Sequence, residues 1–500
     1  MTKLSTGVVN YLTISKITEF LIRPVGTLSL SAKTGLGMVV TLLLYCIIKR
    51  EQAKQRLIGA PPGSLGLWGI GEMIPLLKSR VAFDLERMRK YGLNYTTHIL
   101  LEPTIRLGTV EDRRMLQRSE QRNQSKMSWP SAIQTILGKT SLSVVSGIEH
   151  TQLRSMFTST FSPEILKSYI KAMDNSICEY LQRLNDGKAH STEEFENLML
   201  HILVQTAFGG NIEPSEVDKL SGLFRTVMKG FVSILPFDVP FTVFGAAMNA
   251  RREIMKMISV CIDRIEARCE NVVQVDSKNA KVLDVLTKFI QYRDESGKRL
   301  TREQVSENVL LLLIAGHDST AASIGTLLGL LFDEKHDDVM KKLRQEMQSI
   351  QPLDDDSLKR NEYLNAVIDE ALRYLTPANS TYREATQDII LSDGYIVPKG
   401  VRMSTFVTAG HLNEAVWGKH EYNPDRMLSI KKEKSEVFKD YFYPFGGGNR
   451  HCPGEQFSRL EMRLFLYRIA REWRLNISQS KTKWFPLQTI VSEFTLEHIA

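Results

Sequence analysis

One cysteine in this chain is framed for chemistry. Cys452 lies in Phe445-Gly-Gly-Gly-Asn-Arg450-His-Cys452-Pro-Gly454, among glycines, an arginine and a proline. Cysteines of a cytosol-facing chain ordinarily stay inert thiols, so this frame points to a metal-bound thiolate. Glycines on both sides let the backbone pass close to something large and flat. Amide N–H groups aimed at the sulfur would stabilise its charge and tune its electron donation. Iron held in a haem is such a partner, and an axial thiolate pushes electron density toward O–O cleavage. The competing reading is a glycine-rich turn around a buried thiol. Five agreeing positions (Phe445, a glycine, Arg450, Cys452 and Gly454) weigh against it.

A second group interrupts the apolar run from Val309 to Phe332: Gly316-His317-Asp318-Ser319-Thr320. An Asp and a His near the middle of an isolated membrane span are costly, so a buried helix crossing a soluble core is expected. Activating dioxygen requires protons, and a hydroxyl beside a carboxylate organises such a relay. Gly316 would remove a side chain where oxygen and substrate lie against the helix. A local kink, with Ser and Thr hydroxyls bonded back to helix carbonyls, accounts for the same residues. The segment alone does not choose between them.

Around these groups the chain reads as one large enzyme. It has 500 residues, 43% apolar, with ordinary Gly and Pro content and no internal repeat. The net charge of +7 is spread out, with no basic block interleaved with aromatics, which argues against nucleic acid as a partner. The five cysteines (46, 178, 261, 269 and 452) form no Cys-x-x-Cys pair, so neither a zinc site nor a disulfide framework is indicated.

Gly35 to Ile48 is an uncharged apolar run, and Lys49, Arg50, Lys54 and Arg56 come directly after it. That order places the downstream chain in the cytosol. The run is short for a span, a mismatch that the thinner endoplasmic reticulum bilayer reduces. Tyr11 to Leu21, moderately amphipathic, suits the membrane interface. The competing reading is a plastid or mitochondrial transit peptide, because the first 34 residues are rich in Ser and Thr and hold Glu19 as their one acid. The basic cluster and the Ala60-Pro61-Pro62-Gly63 hinge favour a reticulum anchor. The expected division is an anchor region over 1–50, a basic, proline-rich hinge over 51–63 and a catalytic domain over 64–500.

From about Pro61 to the C-terminus the sequence resembles the cytochrome P450 superfamily, with Cys452 at the place of its proximal haem ligand. Ala315-Gly316-x-Asp318-Ser319-Thr320 resembles the family's oxygen-activation motif, Asp318 as the acid and Ser319 as the hydroxyl, where threonine is commoner. Serine lacks the methyl that restricts the rotamer, so a neighbouring role for Thr320 stays open. Glu370-Ala-Leu-Arg373 resembles the family's Glu-x-x-Arg element, completed by Arg426, and is scaffold rather than catalyst. Resemblance further assigns His150, Arg154, Arg383 and Arg450 to the haem propionates. Leu235-Pro236-Phe-Asp-Val-Pro240 with Ala246 to Ile254, and Met127-Ser-Trp129-Pro130, are similar to the plant clan that oxidises brassinosteroids, abscisic acid, triterpenoids and taxanes. Phe241 stands where that clan usually has glycine, and Trp68 where the hinge often has another proline.

The resemblance implies a mainly α fold with a small β lobe and an N-terminal membrane anchor. It also implies a monooxygenase carrying heme b (iron protoporphyrin IX), with NADPH and flavin acting only through an NADPH-cytochrome P450 reductase. The substrate would be small, hydrophobic and terpenoid- or sterol-like, and the site would face the cytosol from the reticulum membrane. Its contacts are expected at Met127–Ile136, Leu312–Ala315, Leu375–Thr381 and Gln488–Ser492. Lys431, Lys432 and Lys439 would meet an acidic flavodomain, unless they are a solvated charge run. Two rivals remain: a same-fold isomerase or dehydratase that uses no external oxygen, and a haem or ligand binder without turnover.

Overall fold

The computed structural model describes residues 45, 47–48, 50–67, 71–99, 102–231, 233, 236–271, 284–484 and 487–499. Most of the expected membrane run, the amphipathic stretch before it and Trp68 lie outside these residues.

Helices carry the bulk of the molecule. Five position the site: α1 (Gly147–Thr160), α2 (Phe195–Phe208), α3 (Arg302–Leu331), α4 (Glu362–Tyr374) and α5 (Glu455–Glu472). The longest, α3, begins where its sequence says it should. Thr301 Oγ accepts from Gln304 N–H, and the Gln304 side chain accepts from Thr301 N–H, closing a capping box. α3 is the one described helix apolar and long enough to cross a bilayer, yet 67% of its most apolar window is buried inside the protein. It is therefore a core helix, as its His and Asp required. The sequence interruption does not break it: residues 302–331 are continuous α-helix.

Close packing explains several of its glycines. A Cβ on Gly329 would come within 2.4 Å of Ile490, and one on Gly325 within 2.8 Å of Thr489. The C-terminal hairpin thus lies directly on α3. Phe195 of α2 joins Phe465 and Phe494 in one aromatic cluster, with centroids 5.1 and 5.8 Å away. These contacts tie α2, α5 and the hairpin together, each buried aromatic contributing about 2–3 kcal/mol.

The β lobe holds β1 (Tyr95–Ile99), β2 (Glu102–Leu107), β3 (Ser125–Met127), β5 (Ser380–Ala385) and β8 (Arg402–Phe406) in one five-stranded sheet, ordered β1-β2-β8-β5-β3. Among the described strands only β2 and β8 run parallel, with Thr104 opposite Arg402. β4 (His190–Ser191), β9 (Trp473–Lys483) and β10 (Thr489–His498) form a second sheet, and β6 (Ile389–Ile390) pairs with β7 (Ile396–Val397). The proline-rich segment is pinned to the first sheet: Thr96 N–H donates to Pro62 O at 3.0 Å, and Ser64 N–H to Thr96 O at 3.0 Å. A Cβ on Gly63 would overlap Thr96 O. A mainly helical fold with small sheets is thus the observed class.

Candidate active site

Cys452 sits just ahead of α5. Its amide donates to Phe445 O at 2.9 Å, closing the loop on itself. Burial pushes the thiol up, while the Gly454 and Glu455 amides at the helix start and the Arg154 charge oppose that shift. These are the N–H groups the sequence anticipated. The glycines ahead of the cysteine also admit a neighbouring helix. Cβ atoms on Gly447 and Gly448 would lie 2.2 and 2.5 Å from Gln117, so the close approach is to the helix Val110–Ser119. Gly446 (φ 76°) and Gly448 (φ 64°) also take left-handed conformations that side chains resist.

The basic residues converge beside this loop. Arg450 donates to Leu142 O (2.9 Å) and to Val145 O (2.5 Å), and it grips Glu120 through Nε (2.9 Å) and Nη2. Arg383, only 4% exposed, gives Nη1 to Tyr382 O (2.8 Å) and Met127 Sδ (3.2 Å), while its buried Nε has no hydrogen-bond partner. Burial lowers the Arg383 guanidinium to about 10. His150, on α1, is buried and pulled down to about 4 by that burial and by Arg450, so its ring is neutral. Arg154, one turn on, donates to His451 O beside the cysteine.

This group fits a flat dianion bound at the sulfur. Burying an unpartnered guanidinium N–H is costly without an acceptor, and Arg383 Nε awaits one. On α3, Ala315 is exposed within an otherwise mostly buried helix, as a residue facing such a group must be. Phe445 is tied to the cysteine through its carbonyl, and Gly454 has room for a Cβ at 3.9 Å from Sγ.

The ion-pair scaffold is assembled as the family resemblance implied. Arg373 binds Glu370 through Nε and Nη2, both at 2.7 Å, with side chains 1% and 0% exposed. It also donates to His411 O and Glu421 O, and Arg426 Nε lies 3.5 Å from Glu370. A second network was not foreseen. Arg459 bridges Asp369 (2.6 Å) and Glu455 (2.8 Å), with its guanidinium 5.0 Å from the Phe445 ring centre. Lys431 belongs to this network, 2.5 Å from buried Asp369, and Lys439 pairs with Glu436 at 2.7 Å. Neither is an unengaged docking charge.

Along α3 the motif residues separate. Gly316 does not open a space toward oxygen: its Cβ would meet Leu203 Cδ2 at 2.7 Å, so it lets α2 pack closely. Asp318 pairs with His317 Nε2 at 2.7 Å and lines a cleft with Glu196, Glu193, Lys483 and Thr489. Burial lowers His317, but the adjoining Asp318 carboxylate raises it past its ordinary value. Ser319 is part-exposed and donates to Ala315 O at 2.7 Å. Thr320 is buried, bonded to Gly316 O and Ser458 Oγ, both at 3.0 Å. Both hydroxyls therefore bond back to helix carbonyls, as the kink reading required, while the helix stays regular. Behind Thr320 lies Glu461, fully enclosed, which burial raises well above the ordinary carboxyl range so that it is neutral.

Two expected substrate stretches turn out to be largely packing. Gln488 donates to Thr376 O, Thr489 to Ala322 O, and Ser492 shares a bond with Ser480. Ala378 is exposed, and Ser380 and Thr381 are part-exposed. Phe241 adopts φ 72°, at about 1–2 kcal/mol where glycine would enter freely.

Sequence reasoning missed Glu120, Glu461 and Ser458. Glu120 and Ser458 sit among charged and small residues with no motif, and Glu461 is nine positions past the cysteine without a local partner.

The family model described as Cytochrome P450 matches residues 61–497. Cytochrome P450 26A1 of Gallus gallus is 29% identical, over 86% of this chain and 88% of its own. The beta-amyrin 11-oxidase of Glycyrrhiza uralensis is 29% identical (83% and 85%), and the abscisic acid 8'-hydroxylase 2 of Arabidopsis thaliana 27% (85% and 86%). The retinoic acid-bound cyanobacterial CYP120A1 superposes with a TM-score of 0.76 at 26% identity, over 88% of this chain and 99% of that one.

Proposed function

This chain belongs to the cytochrome P450 family and is a haem-thiolate monooxygenase, and from that premise we propose that it hydroxylates a bulky, apolar isoprenoid. One observation carries the site assignment: the Cys452 loop is joined to a basic cluster of Arg154, Arg383, Arg450 and neutral His150, with Ala315 exposed from α3. Cys452 Sγ would hold the iron, and Arg383 Nε, Arg450, His150 and Arg154 the two carboxylates. Heme b, when bound, supplies the binding and activation of O2 and the transfer of one oxygen atom to substrate.

The protein's own residues deliver protons and exclude water. Asp318 Oδ atoms, reached from the outer cleft, take the incoming proton and hand it on. The Ser319 hydroxyl, part-exposed and next to Ala315, passes it on by releasing its bond to the Ala315 carbonyl. Thr320 Oγ1 is tied to Gly316 O and Ser458 and keeps α3 in register. Ser319 is thus the relay alcohol and Thr320 a positioning residue. An acid and an alcohol so arranged support oxygen consumption over isomerisation.

Relatives named for beta-amyrin and abscisic acid, and the retinoic acid bound in the structural neighbour, support an isoprenoid substrate. Electrons would come from an NADPH-cytochrome P450 reductase, with the first 50 residues anchoring the domain to the cytosolic face of the endoplasmic reticulum and 51–63 as the linker. The test is expression with a reductase in yeast making candidate terpenoids. A dithionite-reduced, carbon monoxide-treated sample should show the thiolate Soret band. NADPH and O2 should be consumed in step with a hydroxylated product. Product formation without NADPH would overturn the monooxygenase reading of this site.

A further inference from the structure

We propose that Glu120 is a built-in counter-charge of the haem carboxylate pocket, a positioning residue that holds the pocket at two net positive charges and thereby sets the reduction potential of the iron. This rests on the assignment of the basic cluster to the propionates.

The residue is in a poor place for its own helix. Glu120 caps the C-terminus of Val110–Ser119, where the helix dipole disfavours an anion. Something else keeps the carboxylate there. Its two oxygens face the Arg450 guanidinium, Oε2 at 2.9 Å from Nε, and Oε2 is also 3.6 Å from the orphaned Arg383 Nε. Side chains of Glu120 and Arg450 are 9% and 7% exposed, so solvent screens their charges weakly. Burial raises the Glu120 acid, but Arg450 and then Arg383 draw it below the ordinary range, and it remains an anion at neutral pH.

Arg450 does not need this anion to be positioned. The Leu142 and Val145 carbonyls already fix its Nη atoms. What Glu120 adds is charge. Arg154, Arg383 and Arg450 bring three positive charges, His150 is neutral, and Glu120 removes one. The two that remain match two propionates. Without Glu120 the pocket would hold an excess cation, and a cation near the iron favours the reduced, more negative state.

Electrochemical titration of the haem-loaded protein tests this. Glu120→Gln should favour reduction by at least about fivefold in the equilibrium constant, a rise of about 40 mV for a one-electron couple. Glu120→Asp, which keeps the charge, should stay within about twofold of the parent. The double variant Glu120→Gln/Arg383→Gln, which restores the count, should return toward the parent potential. A Glu120→Gln shift below about twofold, or a double variant displaced further in the same direction, overturns the proposal. Should Glu120→Gln hold no haem, the double variant decides. Haem uptake near the parent potential supports the charge count, and no uptake refutes it. Absence of the carbon monoxide thiolate band in the unmodified protein would instead sink the cofactor-site assignment, a separate failure.

Discussion

The cysteine loop and the facing stretch of α3 solve opposite problems. Behind Cys452 the charges are paired at hydrogen-bond distance, Arg459 with Asp369 and Glu455, His451 with Glu455 (3.0 Å) and Arg450 with Glu120, while Arg154 and Arg383 are left for an anionic group. On α3 the functional groups are hydroxyls bonded back to their own helix, beside one acid that reaches an outer cleft. Bidentate, buried ion pairs fix geometry because breaking one strands a charge. A hydroxyl bonded back to a carbonyl exchanges partners at a cost of about 1 kcal/mol. The loop is built to stay still, and α3 to let a proton move.

Removing the ligand tests that division most severely. Cys452→Ala should abolish the carbon monoxide thiolate band and take NADPH-driven product formation to background, with the helical circular dichroism retained. Full turnover in this variant would refute the loop's role outright. Next in size is Glu370→Gln, which leaves Arg373 buried without its anion. A loss of about 3–5 kcal/mol is expected, visible as a lower denaturation midpoint and as poor haem incorporation. Glu370 touches neither the sulfur nor α3, so a well-folded but merely slow enzyme would contradict its scaffold role.

On α3 the expected effects are kinetic. Asp318→Asn should lower product formation by about 10²-fold or more with unchanged spectra, the lost turnover appearing as hydrogen peroxide. Ser319→Ala and Thr320→Ala should then part company. The serine variant should leak peroxide and fold normally. The threonine variant, which strips partners from Ser458 and Glu461, should lose about 1–2 kcal/mol of stability and leak less. The reverse pattern would make Thr320 the relay alcohol.

How much of this was readable in the sequence depends on what each residue answers to. The loop, the Glu370–Arg373 pair and the core placement of α3 rest on local spacing and on the cost of burying charge, which sequence displays. Gly316, Gly325 and Gly329 do not: each is glycine because a distant segment (Leu203, Thr489 or Ile490) lies against it. The same holds for Glu120, whose Arg450 partner is 330 positions away. Lys431 read as a surface charge because Asp369, its anion, belongs to another helix. Thr489 and Ser492 read as pocket hydroxyls because alternation on β10 cannot tell α3 from a ligand.

The smallest effect separates the two regions by pH. Burial raises the Glu455 carboxyl, but the His451 hydrogen bond and the Arg459 charge outweigh it and hold the group down to about 2. Asp369 is likewise held below its usual range, burial being outweighed by Arg459 and Lys431. An unfolded glutamate takes up its proton near pH ~4.3. A depressed folded value therefore adds stability that is fully present above about pH 4.3 and is lost as pH falls toward about 2. Glu455 is partly solvated, so screening reduces its share to about 1 kcal/mol. Denaturant titrations across this window should show Glu455→Gln lowering the neutral plateau by about 1 kcal/mol and flattening the acid limb, the two proteins converging as pH falls toward about 2. Ser319→Ala, which changes no charge, should not flatten it. If the α3 variant changed the acid limb as much as the loop variant, paired charge would not be what distinguishes the two sides.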